Sequence, residues 1–127
     1  MIENFLIIKC IGEDDKLGLR INKEFFIHRF DNQKINNEQL VSEIIKFLEF
    51  HNVKLDKNFS IIVNQGPGSF SGLRISLAIA KGLKISKNIK LFGYKDKNLK
   101  QFDQENIENL LDKNLIEKKL INPIYLS

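Results

Sequence analysis

Asn64-Gln65-Gly66-Pro67-Gly68-Ser69-Phe70-Ser71-Gly72-Leu73-Arg74 joins a short β-branched run, Phe59-Ser60-Ile61-Ile62-Val63, to an almost wholly apolar stretch from about residue 71 to 86. Three glycines, one proline and two serines within seven residues cannot continue a strand, because both residue types are depleted there and proline has no ladder donor. The stretch therefore reads as a sharp turn feeding a helix N-terminus, with Ser69 or Ser71 as the cap. In that helix Leu73, Leu77 and Ala80 form a stripe that can face a sheet, while Ile75, Ala78, Ile79 and Gly82 form a second stripe. Only Arg74, Lys81 and Lys84 make a clear polar edge. A helix apolar nearly all round is buried on both sides. In a small domain the second side has to meet either the preceding helix or another chain, and Ala78 and Gly82 are small enough to permit close approach.

Working outward, residues 4 to 11 form a continuous apolar strand expected at the centre of a sheet. Gly12-Glu13-Asp14-Asp15 is a turn, and its adjacent acids are expected to face solvent. Leu17, Leu19 and Ile21 alternate with Gly18, Arg20 and Asn22, a period of two that predicts a strand with one wet face. After Asn22-Lys23-Glu24, residues 25 to 30 give a third strand, completing a meander. Asn36 or Asn37 suits the cap of a helix over about 38 to 51. Its apolar residues (Leu40, Val41, Ile44, Ile45, Phe47, Leu48 and Phe50) span about 220°, well beyond the ~100° stripe that one sheet requires. Beyond the glycine-rich turn and its helix come a fifth strand at 89 to 93, a polar lysine-rich stretch from Tyr94 to Gln104, a helix over about 104 to 119, and an extended tail from Pro123 to Ser127. The order βββαβαβα is that of an α/β, ribonuclease-H-like domain. It implies a mixed five-stranded sheet of order 3-2-1-4-5 with helices on its faces.

The 127 residues suffice for one domain, 1–127, burying about two thirds of the unfolded chain's surface. The single cysteine, Cys10, follows the apolar run Phe5-Leu6-Ile7-Ile8 and is expected to be a small buried hydrophobe. One cysteine, no apolar run of ~18 residues and an uncharged-to-acidic start point to a cytoplasmic protein. The net charge is +4, but the 17 lysines against 3 arginines, with abundant asparagine and isoleucine, bear the mark of AT-rich coding. The run Lys81, Lys84, Lys87, Lys90, Lys95, Lys97 and Lys100 thus reads first as a solvated face. Phe92 and Tyr94 are the few aromatics within it that could stack on bases.

The glycine-rich turn does not match the known phosphate loops. Leu73 stands where a Walker loop requires lysine, and the second gap between Gly68 and Gly72 is one residue too long for a dinucleotide fingerprint. A strand-to-helix turn with free amides can still attract an anion through the helix dipole, with Arg74 to assist. Ser69 or Ser71 as nucleophile needs a base, and His28 and His51 stand in no recognisable triad order. No two histidines have the i, i+4 spacing of a helical zinc site.

Gly66 to Ile75, continued by Ala78-Ile79-Ala80-Lys81-Gly82-Leu83, closely resembles the GPGSFTGLRIG...AKGL signature of the bacterial TsaB (YeaZ) family. Asn36-Asn37-Glu38-Gln39-Leu40 is similar to that family's H-S-E-x-L helix start, and Pro123-Ile124-Tyr125-Leu126 to its terminal P-x-Y-L-R. The family belongs to the actin-like ATPase superfamily, whose lobes have the ribonuclease-H-like topology. Two departures stand out. The region from Tyr94 to Pro123 is too short for the usual second domain, and Lys9-Cys10-Ile11 replaces the D-T-S/T turn that active superfamily members use around nucleotide and metal. The resemblance implies a reduced, non-catalytic scaffold subunit. It would pair with TsaD during threonylcarbamoyl transfer to the anticodon-adjacent adenosine of tRNA, and the TsaE ATPase would bind the pair. It implies no cofactor on this chain alone, with ATP and metal on partner subunits, and a homodimer is plausible in isolation. The contact surface it implies comprises the loop and helix start (Gly66, Pro67, Gly68, Ser69, Phe70, Ser71, Gly72, Leu73, Arg74) with Ile75, Ala78, Ile79 and Gly82, plus Val41 and Ile45 of the preceding helix. The rival readings are a nucleotide-dependent phosphotransferase, a glycoprotease-like peptidase, and a tRNA-binding module driven by lysine.

Overall fold

A computed structural model describes residues 2–30, 37–68, 70–118 and 121–124, with the side chains of 37 and 70 also outside the description. Five strands form one sheet: β1 (Phe5–Lys9), β2 (Lys16–Ile21), β3 (Glu24–Arg29), β4 (Ser60–Asn64) and β5 (Lys90–Tyr94). The sheet order is β3-β2-β1-β4-β5, as the alternation of patterns predicts. β1 pairs antiparallel with β2, Ile7 opposite Gly18, and parallel with β4, Leu6 opposite Ile61. Asn22 and Lys23 turn the β2–β3 hairpin with φ of 51° and 69°, the left-handed pair of a two-residue type I′ turn.

Helices α1 (Asn37–Phe50) and α2 (Phe70–Lys87) share one face of the sheet, and α3 (Gln104–Asp112) lies on the other. Strand periodicity divides the core accordingly. Leu6, Ile8, Ile61 and Val63 point toward α1 and α2, where they meet Leu40, Ile44, Leu77 and Ala80. Phe5, Ile7 and Ile62 point toward α3, against Ile107 and Leu110. Each such side chain contributes roughly 1.5–3 kcal/mol on burial, which makes β1, apolar on both faces, the centre of the molecule.

All three helices stop on an asparagine in the left-handed conformation: Asn52 (φ 54°), Asn88 (φ 60°) and Asn114 (φ 56°). Around Asn114 the amide of Leu115 bonds the Leu110 carbonyl and that of Asn114 the Leu111 carbonyl, at 3.0 Å each. This is a Schellman motif, and Asn52 and Val53 close α1 in the same way on Glu49 and Leu48. The motif corrects the expected extent of α3, which ends at Asp112 instead of 119. Leu115 and Ile116 continue the apolar spacing, but Asn114 has already turned the chain.

Three other expectations need correction. β2 has no wet face over its first four residues: Lys16, Leu17, Gly18 and Leu19 are all buried. Gly18 is covered by Ile7, Phe25 and Phe102: a Cβ there would lie 2.8 Å from Ile7 Cγ2 and 3.2 Å from each ring. Phe102 and Leu99 are themselves buried, so the stretch before α3 is a lid with a single 3-10 turn (Asp96–Asn98), not a solvated connector. Asp15 is not solvent facing like its neighbours but half-buried. The helix caps fall differently too. Asn37 is the first residue of α1 and Ser71 lies inside α2, so neither is the cap, while the alternatives Asn36 and Ser69 lie outside the described residues. Residues 121–124 of the tail have no regular structure, and Tyr125, Leu126 and Ser127 lie outside the described residues.

Candidate functional site

The glycine-rich loop leaves β4 at Asn64, a side chain only 3% exposed that organises the turn. Its Oδ1 accepts from the Gly66 amide at 2.7 Å, while its Nδ2 donates to Asp96 Oδ1 at 2.9 Å and to Tyr94 Oη at 3.2 Å. The neighbouring chain clamps the loop from outside. Asp96 donates its amide to the Gly66 carbonyl at 2.9 Å, and Ile124 donates to that of Gln65 at 2.6 Å. Gln65 Nε2 reaches the Asn122 carbonyl at 3.1 Å. The Gly93 and Glu117 backbones bond each other at 2.7 and 2.9 Å, bringing the tail alongside.

The glycines of the loop are needed for close approach. Gly66 has φ 98° and is followed by a cis peptide bond to Pro67. A Cβ on Gly66 would collide with the Ile124 carbonyl oxygen. One on Gly68 would lie 2.5 Å from Ile11 Cβ, and one on Gly72 would lie 2.7 Å from the Cys10 carbonyl oxygen. The loop and the first turn of α2 are thus pressed onto the end of β1, where the resemblance puts the superfamily's phosphate-contacting turn. There the amides of Ile11 and Gly12 donate to Asp15 Oδ1 at 2.9 and 3.1 Å. Burial pushes the Asp15 carboxyl above its usual range, against the opposing pull of these amides. Burial likewise pushes the Cys10 thiol far up, with Asp15 adding to the effect, so it stays protonated at neutral pH.

Of the residues expected to form the contact surface, Leu73 is buried against the sheet and belongs to the core. Gly66 and Gly68 are buried, Pro67, Ser71 and Arg74 are exposed, and Gly72 is half-buried. Ser69 and the Phe70 side chain lie outside the described residues. Farther along α2, Ile75 and Ile79 are half-buried, while Ala78 and Gly82 are exposed, and a Cβ on Gly82 would meet nothing within 4 Å. Val41 and Ile45 on α1 are 41% and 36% exposed. Ile85, at the end of α2, is 86% exposed. The structure thus brings the expected residues of the two helices onto one face, because α1 and α2 lie side by side on the sheet. It separates them from the loop glycines, which face inward.

Sequence reasoning missed one cluster. His28 Nε2 lies 2.5 Å from Glu43 Oε2, and His51 stacks on Phe26 with ring centroids 4.1 Å apart. Phe47 bridges the two histidines, with centroids 5.5 and 5.1 Å away. The signal was present as two periodicities, 26/28 on β3 and 43/47 on α1 continued by His51 just beyond its end, but joining them required the packing of α1 beside β3. Among the described residues no group of histidine, cysteine and carboxylates is placed to hold a metal ion. No helix among them is long and apolar enough to cross a membrane.

A protein-family model described as TsaD, tRNA N6-adenosine threonylcarbamoyltransferase, matches residues 32–95, half of the chain. A curated relative, the tRNA threonylcarbamoyladenosine biosynthesis protein TsaB of Buchnera aphidicola subsp. Baizongia pistaciae, is 40% identical over 50 residues. The chain belongs to this family. Its relatives include TsaB and YeaZ proteins. YeaZ from Pseudomonas aeruginosa superposes with a TM-score of 0.67 at 19% identity, over 76% of this chain and 46% of that one. A second solved structure, an uncharacterized protein with similarity to peptidase YEAZ from P. aeruginosa, gives the same TM-score and identity over 45% of its length. These likenesses establish the ribonuclease-H-like fold. The aligned part of the curated relative is 39% of this chain and 23% of that protein, so this TsaB/YeaZ-type chain corresponds to under half the length of the relatives it matches.

Proposed function

We propose that the chain is a non-catalytic scaffold lobe that pairs with a TsaD homologue through the exposed face of α1 and α2. It would thereby support threonylcarbamoyl transfer to the anticodon-adjacent adenosine of tRNA, with TsaE recruited to the pair. The observation that carries this reading is the exposure of Val41 and Ile45 on α1 and of Ala78 and Gly82 on α2, two helices that cover the same face of the sheet. An exposed apolar face on a small domain marks a protein contact. Glycine and alanine at its centre suit close approach of a partner helix.

The end of β1 favours the same reading. A nucleotide-using lobe offers backbone amides to phosphate, whereas here Asp15 takes the amides of Ile11 and Gly12. ATP and metal are assigned to partner subunits in this proposal. The test is co-purification of tagged chain with the TsaD homologue of the same genome, comparing wild type with Ala78→Arg and Val41→Arg. Both positions are exposed, so the variants should keep the wild-type melting temperature and lose the partner. Undiminished capture by both variants would refute the interface.

A further inference from the structure

Coding bias explains how many lysines the chain has, but not where the fold puts them. Lys57 from the connector before β4, Lys84 near the end of α2, Lys90 at the start of β5 and Lys118 beyond the Glu117 bridge converge on a hollow of about 340 Å³ at the β5 edge. All four are exposed. No carboxylate lines the hollow, and none of the four makes an ion pair with a described residue. The dipole of α2 favours a cation at Lys84, but that argument does not reach Lys57 or Lys118, which arrive from connecting segments. The adjoining hollow of about 690 Å³ shares Lys90 and Lys118 and includes Glu3, Glu108 and Asp112, so the acids lie on one side of these two lysines, and Lys57 and Lys84 line only the smaller hollow.

We propose that this hollow docks the phosphodiester backbone of an RNA strand. Four exposed lysines and Asn88 around a shallow depression that no carboxylate lines complement the charge of a run of backbone phosphates, and an anionic bilayer drawn by the same charge is separated by the vesicle arm of the test. Phe92 at its floor is only 9% exposed and cannot stack on a base, so recognition here is of backbone charge without sequence preference. The hollow lies at the β5 edge, and Lys84 and Asn88 reach it from the C-terminal end of α2, beyond Gly82. That the natural strand is tRNA rests on the function proposed above; affinity for a phosphodiester backbone does not.

The test is fluorescence anisotropy of labelled tRNA with the isolated chain between 50 and 200 mM salt. Four phosphate contacts should make wild-type affinity fall by about 50- to 150-fold over that range. The variant K57Q/K84Q/K90Q/K118Q should bind at least about tenfold more weakly at low salt, with a slope shallower by about 3. A control of equal charge change, K23Q/K97Q/K100Q/K113Q, should retain the wild-type slope. The proposal is overturned if wild type fails to bind tRNA, if the two variants behave alike, or if phosphatidylserine vesicles are bound and tRNA is not. Co-purification with the TsaD homologue is scored separately on the same variants, so failure of the interface and failure of the hollow are distinguishable.

Discussion

Gly68→Ala and Gly82→Ala add the same methyl group to the same signature and should act in opposite directions. At Gly68 the new Cβ would sit 2.5 Å from Ile11 Cβ, 2.9 Å from the Ile11 carbonyl oxygen and 3.0 Å from Ile11 Cα, about 1 Å short of comfortable contact with the first. Those atoms are the main chain and first side-chain carbon of the residue that leaves β1, so no flexible side chain can swing aside. The loop would have to withdraw against its hydrogen bonds to Asp96 and Ile124, at a cost of about 1–3 kcal/mol. Loss of unfolded-state freedom offsets only ~0.4–1 kcal/mol of that. At Gly82 the new Cβ meets nothing within 4 Å, and alanine in a helix interior is favoured by about 1 kcal/mol. In a chain of this size 1 kcal/mol corresponds to a melting shift of roughly 3–5 °C. Urea midpoints and melting temperatures should therefore move down for Gly68→Ala and up for Gly82→Ala. Equal stability of the Gly68 variant and wild type would show that the loop is not pressed onto β1, and the packing account of the signature would fail.

Two further outcomes follow from burial. Phe102→Ala removes the ring that covers Gly18 and should cost about 3–5 kcal/mol; a loss under 1 kcal/mol in denaturant titration would mean that the lid does not seal this face of β2. Because burial raises the Asp15 carboxyl, its ionisation opposes folding at neutral pH, and this penalty disappears as pH falls through the raised value toward the unfolded one. The stability difference between wild type and Asp15→Asn should therefore shift in favour of wild type on acidification from neutral to about pH 4; a shift the other way would mean that the amides of Ile11 and Gly12 outweigh desolvation.

What the sequence conveyed depended on how far apart the deciding residues lie. Sheet order followed from local patterns: an alternating hairpin on Asn22-Lys23, then two strand–helix–strand steps. The stop of α3 was also local, since Asn114 plays the part that Asn52 and Asn88 play at the other helix ends, but apolar spacing through Leu115 and Ile116 obscured it. The covered face of β2 was not local. Gly18 and Arg20 look like a wet face until Phe102, more than eighty positions later in the chain, is laid across it. The exposed ridge was legible because the helical spans of Val41 and Ile45, and of Ala78 and Gly82, exceed what one sheet can bury. Which of three adjacent acids turns inward was not legible. Only the folded turn shows Asp15 bonding back to Ile11 and Gly12 while Asp14 pairs with Lys16 at 2.9 Å.

The loop glycines show how the family signature serves packing within the lobe. In a phosphate-binding loop, glycine lets backbone amides approach an anion. Here each glycine lets the loop approach a carbonyl oxygen of its own chain: Ile124 beside Gly66, Ile11 beside Gly68 and Cys10 beside Gly72. An anion brought to those surfaces would meet the negative ends of three peptide dipoles, and the amides of Ile11 and Gly12 at the end of β1 are already given to Asp15. The same residue type thus serves cohesion inside the lobe. At Gly82, where no atom of the chain lies opposite, it leaves open the space that a partner helix would need.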